Sequence, residues 1–310
     1  SQRRRRSGGR GRRGHPDRPT TEPQPAASRP LAPPPVRFMA RQQGVDLADV
    51  TGHGPGGIIT REDLAAHLAS GTSPSETGRE TRSPVKGVQK HMADAMVRSA
   101  TTAPQACVFL TVDVTPTSEL LERLRTNRRF EGVKLTMLTV AARALVLAVR
   151  DHPALNSSWD EATNEVVTKH YLNLGIAVAG PRGLVVPNVK DAHELAFRDL
   201  ATALETLTEQ ARAARSTPAD LSGGTITITN VGVFGVDAGV PLLNPGEAAI
   251  LAFGAVQRRP WEHEGQVALR DVVTLSLAFD HRLVDGEGAS RFLRTVGEIL
   301  ADPGNLIAFS

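Results

Sequence analysis

Two stretches of this chain cannot bury a core, and they divide it before any element is assigned. Residues 1–35 are rich in Arg, Gly and Pro and nearly free of large apolar side chains. Residues 70–83 hold Gly, Ser, Thr and charges. Both read as linkers, the first disordered, with a semi-extended Pro-rich end from Pro19 to Pro35. Between them, 36–69 is a compact segment. From 84 to 310 the chain reads as one continuous globular domain of ordinary size.

The short segment starts with Val36, Met39 and Ala40 at helical spacing and stops at Gly44. A loop with Gly52, Gly54, Gly56 and Gly57 follows. Thr60-Arg61-Glu62-Asp63 then opens a second helix in a capping-box pattern and buries Leu64 and Leu68. Some 35 residues is below the size at which apolar burial alone suffices, so the glycine loop is expected to add buried backbone hydrogen bonds.

Charge follows the same division. Residues 1–18 hold eight Arg and one Asp, leaving 28 basic and 32 acidic residues elsewhere, a formal −4. No aromatic residue interrupts the basic run to stack on bases, so it reads as a solvated tether rather than a nucleic-acid site. No apolar run approaches the roughly 20 residues of a membrane span. No nucleic-acid or membrane partner is expected. Cys107 is the only cysteine, which rules out an internal disulfide and fits a reducing compartment.

Strands and helices alternate irregularly after residue 84. Helices are expected at 86–100, 117–126, 135–150 and 198–215, the second of the middle pair apolar nearly all round and so buried. Strands are expected at 106–114, 172–178, 184–189, 225–230, 248–256 and 272–279, with a turn at Gly180-Pro181-Arg182-Gly183. The clustering of strands points to an α/β fold with a mixed sheet.

Two segments carry chemistry. Asp280-His281-Arg282-Leu283-Val284-Asp285-Gly286 lies between the strand at 272–279 and a helix marked by Ala289, Phe292, Leu293, Val296 and Leu300. A neutral imidazole at a strand end can accept a proton near neutral pH. Alternatively the motif is structural, with Asp285 capping the helix. Nothing nearby supplies further ligands at zinc-site spacing, so no metal is expected. In Gly223-Gly224-Thr225-Ile226-Thr227-Ile228-Thr229-Asn230, the threonines share one strand face and the isoleucines the other. The threonines suit a half-exposed strand; equally, they could line a polar cleft and donate to an anionic oxygen.

Both segments resemble the dihydrolipoamide acyltransferase (E2) subunits of 2-oxoacid dehydrogenase complexes. So do Asn173-Leu174-Gly175-Ile176-Ala177-Val178 with Gly183-Leu184-Val185-Val186-Pro187, and Asn244-Pro245-Gly246-Glu247-Ala248-Ala249-Ile250-Leu251. Segment 36–69 resembles the family's peripheral-subunit-binding domain.

The resemblance implies a chloramphenicol-acetyltransferase-like catalytic domain, trimeric, with active sites between subunits, or built further into a 24-mer or 60-mer core. It implies acyl transfer between S-acyl-dihydrolipoamide and coenzyme A, acetyl or branched-chain. By the same resemblance His281 is the base, Thr229 the oxyanion donor and Asp285 an architectural carboxylate. Asn230, Arg282 and Gly286 are supporting candidates. Arg37, Arg41 and Arg61 are candidates for holding E3 (dihydrolipoamide dehydrogenase) or the E1 decarboxylase.

Two residues depart from the family pattern: Ile58 follows the paired glycines where relatives carry Arg, and His53 stands where Thr is usual. No lipoyl domain is recognisable, so the lipoyl group is expected from an upstream segment or another chain. The setting implied is cytoplasmic, or an equivalent reducing compartment such as the mitochondrial matrix. The alternative within the family is a non-catalytic E3-binding scaffold subunit, against which the retained histidine argues. A free-standing acetyltransferase for a hydroxyl compound would have no use for the binding segment and tethers.

Overall fold

The computed structural model describes residues 30–70, 80–181 and 183–308. The Arg-rich stretch and most of the second linker lie outside the described residues. The chain divides into two compact units between Pro84 and Val85.

In the first unit, helix α1 spans Pro34–Gln43 and α2 spans Arg61–Ser70. Gly44 ends α1 in the left-handed conformation, φ 66°, where glycine carries no steric penalty. Val36, Ala40, Val50, Ile59 and Leu64 form the core, with Leu68 and Ala32 against it. Met39, expected inward, is exposed; α1 is short and buries only the i, i+4 pair Val36 and Ala40. The unit also begins earlier than residue 36, since the Ile59 N–H donates to the Leu31 carbonyl.

Asp63 stitches the glycine loop to α2. Its carboxylate accepts from the backbone N–H groups of Thr60 (2.8 Å) and His53 (3.0 Å), and from the Thr60 hydroxyl. It also pairs with His53 Nδ1 at 2.8 Å. These bonds hold its carboxyl well below the ordinary range. His53, the departure from the family pattern, therefore has a structural partner. Gly54 donates to the Ile58 carbonyl, and a Cβ on Gly54 would meet that oxygen at 2.6 Å.

The second unit opens with α3 (Gly87–Thr102), β1 (Gln105–Asp113), α4 (Thr115–Arg125) and α5 (Met137–Asp151). A hairpin β2 (Ser157–Asp160) and β3 (Glu165–Thr168) stands apart as a two-stranded sheet. Then come β4 (Leu174–Gly180), β5 (Gly183–Val185), β6 (Asn188–Val189) and α6 (Phe197–Arg212). The chain finishes with β7 (Ile226–Asn230), β8 (Ala249–Phe253), β9 (Gln257–His263), β10 (Gln266–Asp280), α7 (Gly286–Ala301) and α8 (Asn305–Ala308).

The main sheet runs β1-β10-β8-β7-β4-β5, with β6 on β4 and β9 on β10. Pairs β4–β7 and β7–β8 are parallel and the others antiparallel, so the sheet is mixed as expected. Four differences from the sequence reading matter. The β2–β3 hairpin and β9 were not expected. The strand expected at 184–189 is broken by Val186-Pro187 into β5 and β6. Finally, β10 starts at Gln266, not 272.

One sheet face carries the large core. Helix α5 starts with a capping box between Thr136 and Thr139 and buries every residue from Val140 to Val149 except Arg143. With Phe292, Leu293 and Val296 of α7 it covers Ile226, Ile228, Leu275 and Leu277. The other face is polar and small-residued at β7 and is covered in part by Leu243 against Ile250 and Ala278. Alternation along β7 and β10 thus separates an oily side from a chemical side. Among the described residues no helix is long and apolar enough to cross a membrane.

Candidate active site

His281 is the first residue beyond β10. Several hydrogen bonds hold its turn. The His281 N–H donates to the Pro104 carbonyl at 2.9 Å, and the Asp280 N–H to the Ala248 carbonyl at 2.9 Å. Arg282 grips the Asp280 carboxylate with Nε and Nη2, at 3.0 and 2.7 Å. Asp280 is 3% exposed. A buried carboxylate held bidentately by Arg is a strong, geometrically specific pairing, and the proximity of Asp280 raises Arg282 above its ordinary range. The Arg282 guanidinium also sits 5.4 Å from the Trp159 ring centre. Arg282 therefore orients the turn.

The His281 ring is exposed and hydrogen-bonds to no other described residue. It borders an open cleft of about 510 Å³ together with His152, Leu155, Val284 and Asp285. His152 is held by Thr295 Oγ at 3.1 Å and packs edge-on to Phe292. Burial lowers its pKa, which favours the neutral ring. Asp285 caps α7: its carboxylate accepts the Gly288 N–H at 2.8 Å. Gly286 starts the helix, and a Cβ there would meet nothing within 4 Å.

The β7 threonines divide by depth. Thr225 accepts the Asn173 N–H at 3.1 Å, and Thr227 accepts from Asn244 Nδ2 at 2.8 Å. Both are buried. Thr229 is half-buried, and its hydroxyl has no side-chain partner among the described residues. Asn230 lies on the opposite face, as the alternation required, and lines a cavity of about 420 Å³ with Lys134, Thr136, Arg212 and Phe253.

Register shows that His281 and Thr229 do not meet within one chain. Thr229 pairs with Ala252 and Ala252 with Ser276, so Ser276 shares the Thr229 row two strands away. His281 is five residues further along. At about 3.3 Å per residue and 4.8 Å per strand, the two Cα atoms are roughly 19 Å apart.

In the small unit, Arg37 donates to its own backbone, to Ala32 O at 2.9 Å and Pro30 O at 2.7 Å. Arg41 and Arg61 are exposed, on α1 and at the start of α2. Sequence reasoning passed over Glu247. It is 7% exposed in the loop before β8, and burial pushes its carboxyl up to about 7. Its motif was visible, but the burial comes from segments distant in sequence.

A model of the 2-oxoacid dehydrogenases acyltransferase (catalytic domain) family matches residues 77–308, and one of the E3 binding domain matches 30–65. The dihydrolipoyllysine-residue acetyltransferase component of the pyruvate dehydrogenase complex of Bacillus subtilis is 35% identical over 297 residues, 89% of this chain and 67% of that protein. The Staphylococcus epidermidis counterpart is 33% identical over 302 residues, 89% and 70% of the two chains. Among solved structures, the dihydrolipoamide acetyltransferase of Azotobacter vinelandii superposes with TM-score 0.71 at 28% identity, covering 75% of this chain and 96% of that one. In that enzyme a serine, a histidine 52 residues later and an asparagine four residues after it were studied for their catalytic role. A probable dihydrolipoamide acetyltransferase from Listeria monocytogenes gives TM-score 0.68 at 30% identity, covering 76% and 97%.

Proposed function

The chain belongs to the 2-oxoacid dehydrogenase acyltransferase family, and on that premise we propose that His281 and Thr229 perform its acyl transfer at a site shared by two copies of the chain. The family reaction moves an acyl group between S-acyl-dihydrolipoamide and coenzyme A. The observation that carries our assignment is an exposed imidazole, without a hydrogen-bond partner among the described residues, on a turn locked by Asp280 and Arg282. The Azotobacter spacing supports it, since Thr229, His281 and Asp285 repeat the intervals of 52 and four.

The step follows from thiol chemistry. A free thiol is mostly protonated at neutral pH. The His281 imidazole takes the CoA thiol proton as the sulfur attacks the thioester carbonyl carbon. The carbonyl oxygen becomes an oxyanion, to which the Thr229 hydroxyl donates; one such donor typically contributes about 2.7–4 kcal/mol. Collapse breaks the bond to the dihydrolipoyl sulfur, which leaves with the proton from His281. Acyl-CoA and dihydrolipoamide result, with the base restored. Asp285 fixes the turn through α7 and carries no proton.

A separation of roughly 19 Å cannot serve one tetrahedral intermediate, so a second copy must bring its Thr229 to His281. The loop after β7 suits that contact: Val233, Phe234 and Val240 are 67%, 71% and 65% exposed. We take the assembly to be a trimer. Coenzyme A is assigned to the cavity beside Asn230. There Lys134 and Arg212 supply positive charge, alongside Glu205 and Glu209, and α5 presents its N-terminus. Acetyl is the acyl group we favour, because the relatives quoted are acetyltransferases of pyruvate dehydrogenase complexes. The small unit then holds E3, through the exposed Arg41 and Arg61 rather than the internally bonded Arg37; E1 is the second candidate partner.

The test is acetyl transfer from acetyl-CoA to dihydrolipoamide by the purified chain. His281→Ala should lose at least about a hundredfold in kcat. Equal rates in the two proteins would remove His281 as the base. Isobutyryl-CoA should be the poorer donor; a preference for it would move the assignment to a branched-chain substrate.

A further inference from the structure

The strands that carry Thr229 and His281 are both tied to one buried carboxyl. Glu247 Oε1 accepts from Asn244 Nδ2 at 3.3 Å, and the same amide donates to Thr227 Oγ at 2.8 Å. Thr227 is also among the groups that hold the Glu247 pKa down against its burial. It lies two residues before Thr229 on the same strand face. The residue after Glu247, Ala248, accepts the Asp280 N–H one residue before His281. A single short loop thus braces the oxyanion strand and the base-bearing turn.

The surroundings favour the neutral acid. Glu247 Oε2 and Asn188 Oδ1 are buried acceptors without a partner among the described residues. Both side chains close on Gly224, where an added Cβ would meet Glu247 Oε1 at 3.1 Å and Asn188 Nδ2 at 3.8 Å. A protonated carboxyl brings a donor into this acceptor-rich pocket; an ionised one brings only charge. Burial is the main cause of the raised pKa, with Thr227, Asn244 and Lys169 opposing it.

The charged groups facing the loop do not cancel a new negative charge. Lys169 approaches from the β3–β4 connection, its Nζ 3.5 Å from Gly246 O, and burial lowers its own pKa. Arg98, Glu161, Asp280 and Arg282 line a cavity of about 180 Å³ with Glu247, and Asp280 is already paired with Arg282.

We propose that Glu247 is a positioning residue for acyl transfer: as the neutral acid it holds the Thr229 strand and the His281 turn in register, and ionising it loosens both. This rests on the assignment of Thr229 and His281 made above. Where a site is shared by two copies, the His281 and Thr229 of one chain serve different sites, so Glu247 braces two neighbouring sites at once.

The experiment is a kcat–pH profile of the full chain with acetyl-CoA and dihydrolipoamide, for wild type, Glu247→Gln and Thr227→Val. Wild-type kcat should fall about tenfold from its maximum by about pH 8.5, as Glu247 ionises, while KM for CoA stays within about twofold. Glu247→Gln cannot ionise and should lose that alkaline limb. Thr227→Val removes a hydroxyl that favours the carboxylate, so it should move the limb to higher pH; this arm decides if Glu247→Gln does not fold. An alkaline limb unchanged in a folded Glu247→Gln, or unmoved in Thr227→Val, overturns the proposal. His281→Ala runs in parallel. If it stays active, the base assignment fails; if it is dead while the limb is unchanged, only the role of Glu247 fails.

Discussion

Thr229 and Asp285 illustrate how differently two polar side chains assigned to the proposed site can act. The Thr229 hydroxyl has no side-chain partner among the described residues, which leaves it available to a substrate oxygen. We expect Thr229→Ala to lose about 10²–10³ in kcat and Thr229→Ser to retain most of it, measured in the acetyl-transfer assay. Asp285 is committed to the Gly288 N–H. Asp285→Ala should cost about 1 kcal/mol in stability by urea titration, and Asp285→Asn much less, because Asn caps as well as Asp. Glu247 gives a pH signature. Its folded pKa, about 7, stands above the ordinary value of 4.5. The stability it contributes is therefore complete below the ordinary value and is lost as pH rises through about 7. The Tm of the catalytic unit should fall across that window in wild type and stay flatter in Glu247→Gln. His281 and Asp285 could be read from their motif because strand, turn and helix are consecutive there. Glu247 could not: its hydrogen-bond partner Asn244 is near in sequence, but Thr227 and Lys169, which also act on its carboxyl, are each at least twenty residues away.

At the level of elements, the small helical unit titrates with the opposite sign. The carboxyl of Asp63 is held below its ordinary value of 3.8 by the Thr60 and His53 bonds. Its contribution is present above that value and is lost as pH falls through the lowered one. Asp63→Asn should lower the Tm of the 30–70 segment at neutral pH and remove much of its acid sensitivity, which circular dichroism of the isolated segment can follow. In the catalytic unit, a Cβ on Gly297 of α7 would meet Leu110 Cδ2 at 2.6 Å, so α7 lies directly on β1.

The elements missed from sequence have a shared cause. Strands β9 and β10 are joined by Glu264-Gly265, with φ of 52° and 78°, a two-residue turn positive at both positions. Glu-Gly is a weaker turn signal than Asn-Gly. The arms also carry Pro260 and exposed Val267 and Leu269, without the burial that makes strands readable. The buried helix α5, by contrast, was plain from its apolar run.

At the scale of the whole molecule, the proposed site needs two copies of the chain. Charged residues at Phe234 and Val240, in the exposed loop after β7, should yield smaller species in sedimentation and abolish acetyl transfer, while the isolated fold survives. Fully active monomers would contradict the shared site. The family match covers the catalytic unit and the small unit together, so the chain unites an acyltransferase with an E3 binding domain.

What the amino-acid sequence alone determined was the division into two folded units, the mixed α/β class and the two motifs that hold the proposed base and hydroxyl. Those follow from composition, local periodicity and motifs, whose physics acts within a few turns of chain. Only the tertiary structure decided that His281 and Thr229 lie far apart within one chain, because their separation depends on sheet register across β7, β8 and β10. It also decided that the aspartate gripped by Arg282 is buried, and that burial raises the Glu247 carboxyl. Burial and long-range pairing set those roles, and no local pattern encodes either.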